Sequence, residues 1–225
     1  MPPLRIVAAG DAAILVEWPA RIDPGTNARV VALAHGISQA CGSMLRDVVV
    51  GYCSITLYYD PLVVDISWVE AQLQTLEETL PASVPAEGRL VEVPVCYGGE
   101  YGPDLGEVAA SVRLSEAEVV AIHAGLTYRV YMMGFVPGFA YMAVVDPRLS
   151  LPRRPTPREH VPAGSVAIAG GQTAVYPVET PGGWHLIGRT PMKMYDQADP
   201  ESFLLQPGDH VRFRAVEPAA LAVDR

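Results

Sequence analysis

Between Tyr128 and Pro191 the sequence gathers the side chains most able to do chemistry, each set beside glycine or proline. The run Gly134-Phe135-Val136-Pro137-Gly138-Phe139-Ala140-Tyr141 combines turn residues with aromatics. Pro152-Arg153-Arg154-Pro155-Thr156-Pro157-Arg158 is basic and stiff in an otherwise acidic chain. Its prolines limit the entropy lost when a loop is ordered, so guanidinium groups such as that of Arg154 are held ready for an anion. Ala169-Gly170-Gly171-Gln172-Thr173 and Pro181-Gly182-Gly183-Trp184-His185 are glycine turns followed at once by polar side chains. Glycine there allows positive φ and a close backbone approach to a ligand, and Gln172 and His185 can donate or accept hydrogen bonds. Tyr176 and Arg189 follow in the same runs.

Each feature has a plainer explanation beside the functional one. Phe135, Phe139 and Tyr141 fit a core as well as a pocket. The arginine run fits a solvated loop or a subunit contact as well as an anion site, and His185 fits a hydrogen-bonded structural imidazole. Self-contained catalytic motifs are missing. The sequence has no GxxxxGK[ST] phosphate loop, no GxGxxG fingerprint and no HExxH or HxH spacing. Ser165 sits in Ala-Gly-Ser-Val-Ala, without the second glycine of a nucleophile elbow. No metal site is expected.

The elements that must carry these residues fall into two regions. Leu4–Val7 and Ala12–Trp18 read as strands, followed by a helix from Asn27 to about Ala40 with apolar spacing at Val30, Val31, Ala34 and Ile37 and a stop at Gly42. A second strand pair, Val48–Val50 and Ser54–Tyr59, precedes a helix from Trp68 to about Thr79 with Ser67 as its cap. The order ββαββα predicts a two-layer α/β domain over residues 1–84. Prolines 81 and 85 mark a linker. Beyond it come a strand at Leu90–Val95, a short helix at Asp104–Ala110, and a helix at Glu116–Ala124 with a Ser115/Glu118 capping box. From Tyr128 onward glycine and proline recur between short apolar runs, which predicts a many-stranded β-barrel or sandwich over 89–225.

Sixteen basic residues against 25 acidic ones give a net charge of −9, which argues against nucleic acid or an anionic membrane as a partner. Half the residues are hydrophobic, enough for a core and for some apolar surface covered by a partner. The start is interrupted by Asp11 and Glu17, unlike a signal peptide. Cys41, Cys53 and Cys96 show no CxxC pairing and suit reduced thiols, so a cytoplasmic location is expected.

The run GFVPGFAYM at 134–142, then DPRLSLPRRPTPREHVPAGSVAIAGGQTAVYPVETPGGWHLIGRTPMKMYD at 146–196, closely resembles the KipI/PxpB family, also called allophanate hydrolase subunit 1. VPVCYGGEYGPDLGEVA at 93–109 is similar to the same family's entry into its second domain. The resemblance spans Val93 to about Asp209, and the ββαββα front half fits it. It implies a cyclophilin-like barrel and pairing with a larger C-type, carboxyltransferase-like subunit (PxpC/KipA-like). It further implies a third, A-type subunit (PxpA/LamB-YcsF-like). Such complexes are 5-oxoprolinases, which open the lactam of 5-oxoproline to L-glutamate with ATP. On this basis the present chain holds no cofactor, and the complex uses the ATP.

Opening a stable amide needs an activated carbonyl and a stabilised oxyanion. By residue type and motif position, Gln172, His185 and Arg189 are the groups expected to bind a carboxylate or a phosphorylated intermediate, with His185 moving a proton. Tyr141 and Tyr176 are expected to close a pocket that Phe139 and Arg154 complete. His123 is a further candidate that also fits a structural role. Two other readings share the same motifs: a KipI-like inhibitor of a sensor histidine kinase, and a subunit of a urea- or allophanate-type carboxyltransferase complex with biotin carried on another protein.

Overall fold

The computed structural model describes residues 4–81, 84–86, 88–196 and 198–218, and leaves the side chains of Pro200 and Glu201 aside. Residues 82, 83 and 87 of the proline-bearing stretch lie outside that set. The chain divides into two compact units, Met1–Glu87 and Gly88–Arg225.

The first unit has the expected ββαββα order: β1 (Arg5–Ala8), β2 (Ala13–Glu17), α1 (Pro24–Cys41), β3 (Leu45–Val50), β4 (Ser54–Tyr59) and α2 (Ile66–Thr79). Its sheet runs β1-β2-β4-β3 and is antiparallel throughout. Ile14, Val16, Ile55 and Leu57 of the strands pack with Val30, Leu33, Ile37, Val69 and Leu73 of the helices. Both helices begin earlier than apolar periodicity indicates, because an aspartate caps each. Asp23 accepts the Thr26 N–H at 2.7 Å, with Pro24 in the first turn. Asp65, not Ser67, caps α2, its carboxylate accepting the Ser67 N–H at 2.8 Å and hydroxyl at 2.7 Å.

The second unit contains β5 (Leu90–Tyr97), α3 (Leu105–Val112), α4 (Glu116–Ala124), β6 (Thr127–Met133), β7 (Ala140–Ala143), β8 (Arg158–Val161), β9 (Ser165–Ala169), β10 (Gln172–Val175), β11 (Thr180–Gly182), β12 (His185–Arg189), β13 (Tyr195–Asp196), β14 (Asp199–Phe203) and β15 (His210–Ala215). Seven strands close a barrel in the order β10-β7-β6-β15-β5-β12-β9. The closing pair is parallel: β15 lies along β5 with His210 opposite Leu90 and Ala215 opposite Val95. Val93, Val130, Met142, Val166, Ile168, Val211 and Phe213 fill the interior. The capping box on α4 is present, Ser115 and Glu118 exchanging bonds of 2.8 and 3.2 Å. Among the described residues no helix is long and apolar enough to cross a membrane.

His123 is fully buried and stacks on Phe213 with ring centroids 4.7 Å apart. Its partners fix one proton arrangement. Thr173 Oγ1 donates to the Ala167 carbonyl at 3.0 Å, so it accepts from His123 Nε2 at 2.9 Å. Nδ1 then accepts from the Tyr97 hydroxyl at 2.8 Å. Each side-chain polar atom of the Tyr97–His123–Thr173 relay is satisfied, which makes His123 a structural tie between α4 and the barrel wall. Burial pushes its pKa down to about 3.

A second buried polar group fixes the loops outside the barrel. Asp104, at the start of α3, is 2% exposed. Its main-chain N–H donates to the Leu186 carbonyl at 3.0 Å, and its carboxylate accepts the Leu186 N–H at 2.7 Å. Arg158 binds the same carboxylate through two nitrogens, at 2.8 and 2.6 Å, and Arg154 adds a third contact at 3.1 Å. The approach is tight: a side chain at Gly102 would stand 2.1 Å from the Ile187 carbonyl oxygen. Asp104 therefore joins β12 to the whole 152–158 segment.

These two groups make stability testable. An unfolded histidine titrates near pH ~6.5, so the contribution of neutral His123 is complete above that value and is lost as pH falls toward 3, by at most ~1.4 kcal/mol per pH unit. Urea denaturation at pH 7.5, 6 and 5 should show that decline, and it should flatten in His123→Phe, which starts about 1–3 kcal/mol less stable for want of the two hydrogen bonds. Asp104→Asn removes the charge facing two arginines, and the urea midpoint of the barrel transition should fall by the equivalent of about 3 kcal/mol.

Candidate functional site

Strand alternation sorts the barrel wall into two faces. On β9 and β10, Val166, Ile168 and Val175 point into the barrel core. Ala167, Ala169 and Ala174 point outward into a second cluster with Phe139, Val161, Tyr176, Trp184 and Leu186. The small alanines leave room on this outer face, and the two-stranded ribbon of β8 and β11 packs over it. Phe139 is the hub. Phe135, Tyr141, Tyr176 and Trp184 surround it edge-on, at centroid distances of 5.4, 4.8, 5.2 and 5.8 Å.

These rings bound a cavity of about 220 Å³ whose other walls are Arg153, Pro157 and the Pro181–Gly183 turn. At ~30 Å³ per water molecule that is room for roughly seven waters, or one small organic molecule. Gly182 is obligatory here, since a Cβ would lie 2.3 Å from the Tyr176 hydroxyl. Burial pushes the phenols of Tyr141 and Tyr176 up while the nearby charge of Arg153 works against that rise, so both are neutral hydroxyls at neutral pH. Among the described residues no carboxylate lines the cavity.

Of the residues expected from the sequence, Phe139, Tyr141 and Tyr176 meet at this cavity. Arg154 does not line it. Its guanidinium is committed to Asp104 at 3.1 Å and Glu107 at 2.7 Å, so the anion it holds is the protein's own. Its neighbour Arg153 is exposed and takes the place at the cavity. In an extended Pro-Arg-Arg-Pro segment adjacent side chains project oppositely, and the acids that claim Arg154 stand about fifty residues upstream. No local signal distinguishes the two arginines. Sequence reasoning also misses Trp184 in the glycine turn, although aromatic residues at such turns suit pocket walls.

His185, Arg189 and Gln172 lie apart from the cavity lining and from one another. His185 is 7% exposed; its Nε2 donates to the Pro152 carbonyl at 2.9 Å, and Nδ1 is buried with no partner. In an unbroken strand residues 185 and 189 would share a face. A bulge between Leu186 and Gly188 changes that: His185 pairs with inward-facing Ile168, Arg189 with Ser165 on the outward side. Arg189 sits over the Tyr101 ring at 5.9 Å and makes no ion pair among the described residues. Gln172 opens β10 on the outward face, four residues and ~13 Å of strand from Tyr176. Among the described residues no cluster of histidine, cysteine and carboxylate side chains is arranged to hold a metal.

The chain matches the model of the carboxyltransferase domain, subdomain C and D, over residues 4–205. It is 39% identical over 219 residues to the 5-oxoprolinase B subunit of Bacillus subtilis (strain 168), covering 93% of this chain and 91% of that protein. With the 5-oxoprolinase B subunit of Escherichia coli O157:H7 the identity is also 39%, over 95% and 96% of the two chains. The crystal structure of TTHA0988 superposes with a TM-score of 0.80 at 40% identity over 92% of this chain, which spans only 40% of that longer chain. The family match over residues 4–205 and these near-full-length likenesses agree: the chain belongs to the carboxyltransferase-domain family of subdomains C and D and, within it, to the group of 5-oxoprolinase B subunits.

Proposed function

We propose that this chain is the B subunit of a bacterial ATP-dependent 5-oxoprolinase, acting in the cytoplasm with a C-type and an A-type subunit to open the lactam of 5-oxoproline to L-glutamate. The observation that carries the reading is the near-full-length likeness to 5-oxoprolinase B subunits, and beside it stands the cavity. It offers aromatic surface and positive charge for a small anion, yet no histidine or carboxylate to move a proton. Such a pocket is suited to recognising a small anion, with the Tyr141 and Tyr176 hydroxyls as further hydrogen-bond donors. The near-full-length likeness to 5-oxoprolinase B subunits supports the substrate, and the absence of a phosphate loop from the sequence supports placing ATP use on a partner.

Within that complex His185 is a positioning residue, because its one hydrogen bond holds the carbonyl next to Arg153. Arg189, outside the cavity and unpaired with any carboxylate among the described residues, is the proposed donor to a phosphorylated intermediate presented by a partner.

Co-purification of the chain with C-type and A-type subunits encoded beside it should yield glutamate from 5-oxoproline only when all three proteins and ATP are present. Glutamate from two proteins, or none from a folded three-protein complex, would sink the reading. In the active complex His185→Ala should raise KM for 5-oxoproline several-fold with little change in kcat, whereas Arg189→Ala should lower kcat by about 10-fold or more and leave KM nearly unchanged.

A further inference from the structure

The segment from Pro152 to Arg158 contains three arginines, and their fates differ. Arg154 and Arg158 are neutralised by Asp104 and Glu107. Arg153 has no carboxylate within ion-pair distance among the described residues and lines the aromatic cavity. The backbone on both sides of it is tied down. The Pro152 carbonyl accepts from His185 Nε2 at 2.9 Å, and the Arg154 N–H donates to the Gly183 carbonyl at 2.8 Å. Prolines at 152 and 155 stiffen the same stretch. The backbone that carries this guanidinium is already ordered, so pairing with a ligand has only the side chain's own rotamers left to fix.

The opposite rim has its own oddity. Phe135 has φ +67°, a conformation costly for a bulky residue, and the residue is 59% exposed while its ring meets Phe139 edge-on. An exposed aromatic kept at a cavity mouth in this way gains its burial when the cavity is filled.

We propose that Arg153 is the specificity-determining group of a small-carboxylate site: its guanidinium pairs with the carboxylate of a ligand whose flat ring lies among Phe139, Tyr141 and Trp184. Aromatic edges and faces suit a planar amide ring, the guanidinium fork suits a carboxylate, and about 220 Å³ suits a small molecule. Choosing 5-oxoproline as the ligand rests on the subunit reading above; the site itself does not.

The test is calorimetric titration of the full chain with 5-oxoproline and with 2-pyrrolidinone, the same lactam without its carboxylate, run beside KM measurements in the assembled complex. 5-Oxoproline should bind at least about 10-fold tighter than 2-pyrrolidinone, and Arg153→Ala should abolish that preference while Arg153→Lys keeps part of it. Equal binding of the two lactams, or a preference that survives Arg153→Ala, overturns the proposal. The two readings fail separately. Glutamate production with KM unaltered by Arg153→Ala would remove the site and keep the subunit role. Arginine-dependent binding of 5-oxoproline with no glutamate from the complex would keep the site and remove that role.

Discussion

One carboxylate organises the outside of the barrel. Four N–H groups converge on Asp104, three from arginine side chains and one from the backbone of Leu186. A charge buried to this depth is tolerable only when compensated, and the compensation reaches across three separate parts of the chain. The start of α3, the strand β12 and the arginine segment are thereby held to one another. The Gly183–Trp184 wall and Arg153 lie beside these ties, so the cavity inherits its shape from a salt-bridge cluster that does not itself line it.

The charge pattern around the cavity runs against that of the whole chain. With a net charge of −9 the protein repels anions at long range. Two of the three arginines in the segment are cancelled by acids and one is not. Positive charge at the cavity is thus supplied by a single exposed guanidinium standing beside apolar walls.

What could be read from the sequence was what local physics determines. The ββαββα order, the Ser115/Glu118 cap and the glycine-punctuated barrel follow from periodicity and from contacts a few residues apart. Phe139, Tyr141 and Tyr176 line one cavity, although Tyr176 stands 35 residues beyond Tyr141 and is brought there by the pairing of β10 with β7. What it could not place was long-range or set by register. Choosing Arg154 over Arg153 required knowing that Asp104 would fold against it. Grouping His185 with Arg189 required an unbroken strand, and the extra residue at Ile187 turns their side chains to opposite sides. His123 looked like chemistry by type; only its two neighbours, Tyr97 and Thr173, reveal an imidazole with no free nitrogen.

The parallel seam between β5 and β15 ties the barrel's history to its geometry. Leu90 must find His210, a partner 120 residues later in the chain, and β15 also completes the hydrogen bonding of β6. During synthesis the barrel is therefore an open, curved sheet with two unpaired borders until its final strand leaves the ribosome. Contacts so distant in sequence form slowly, and exposed strand borders invite pairing with other chains. A cell making this protein would have to shelter a nearly finished barrel until β15 has paired, or deliver it to its partners only after the seam has closed.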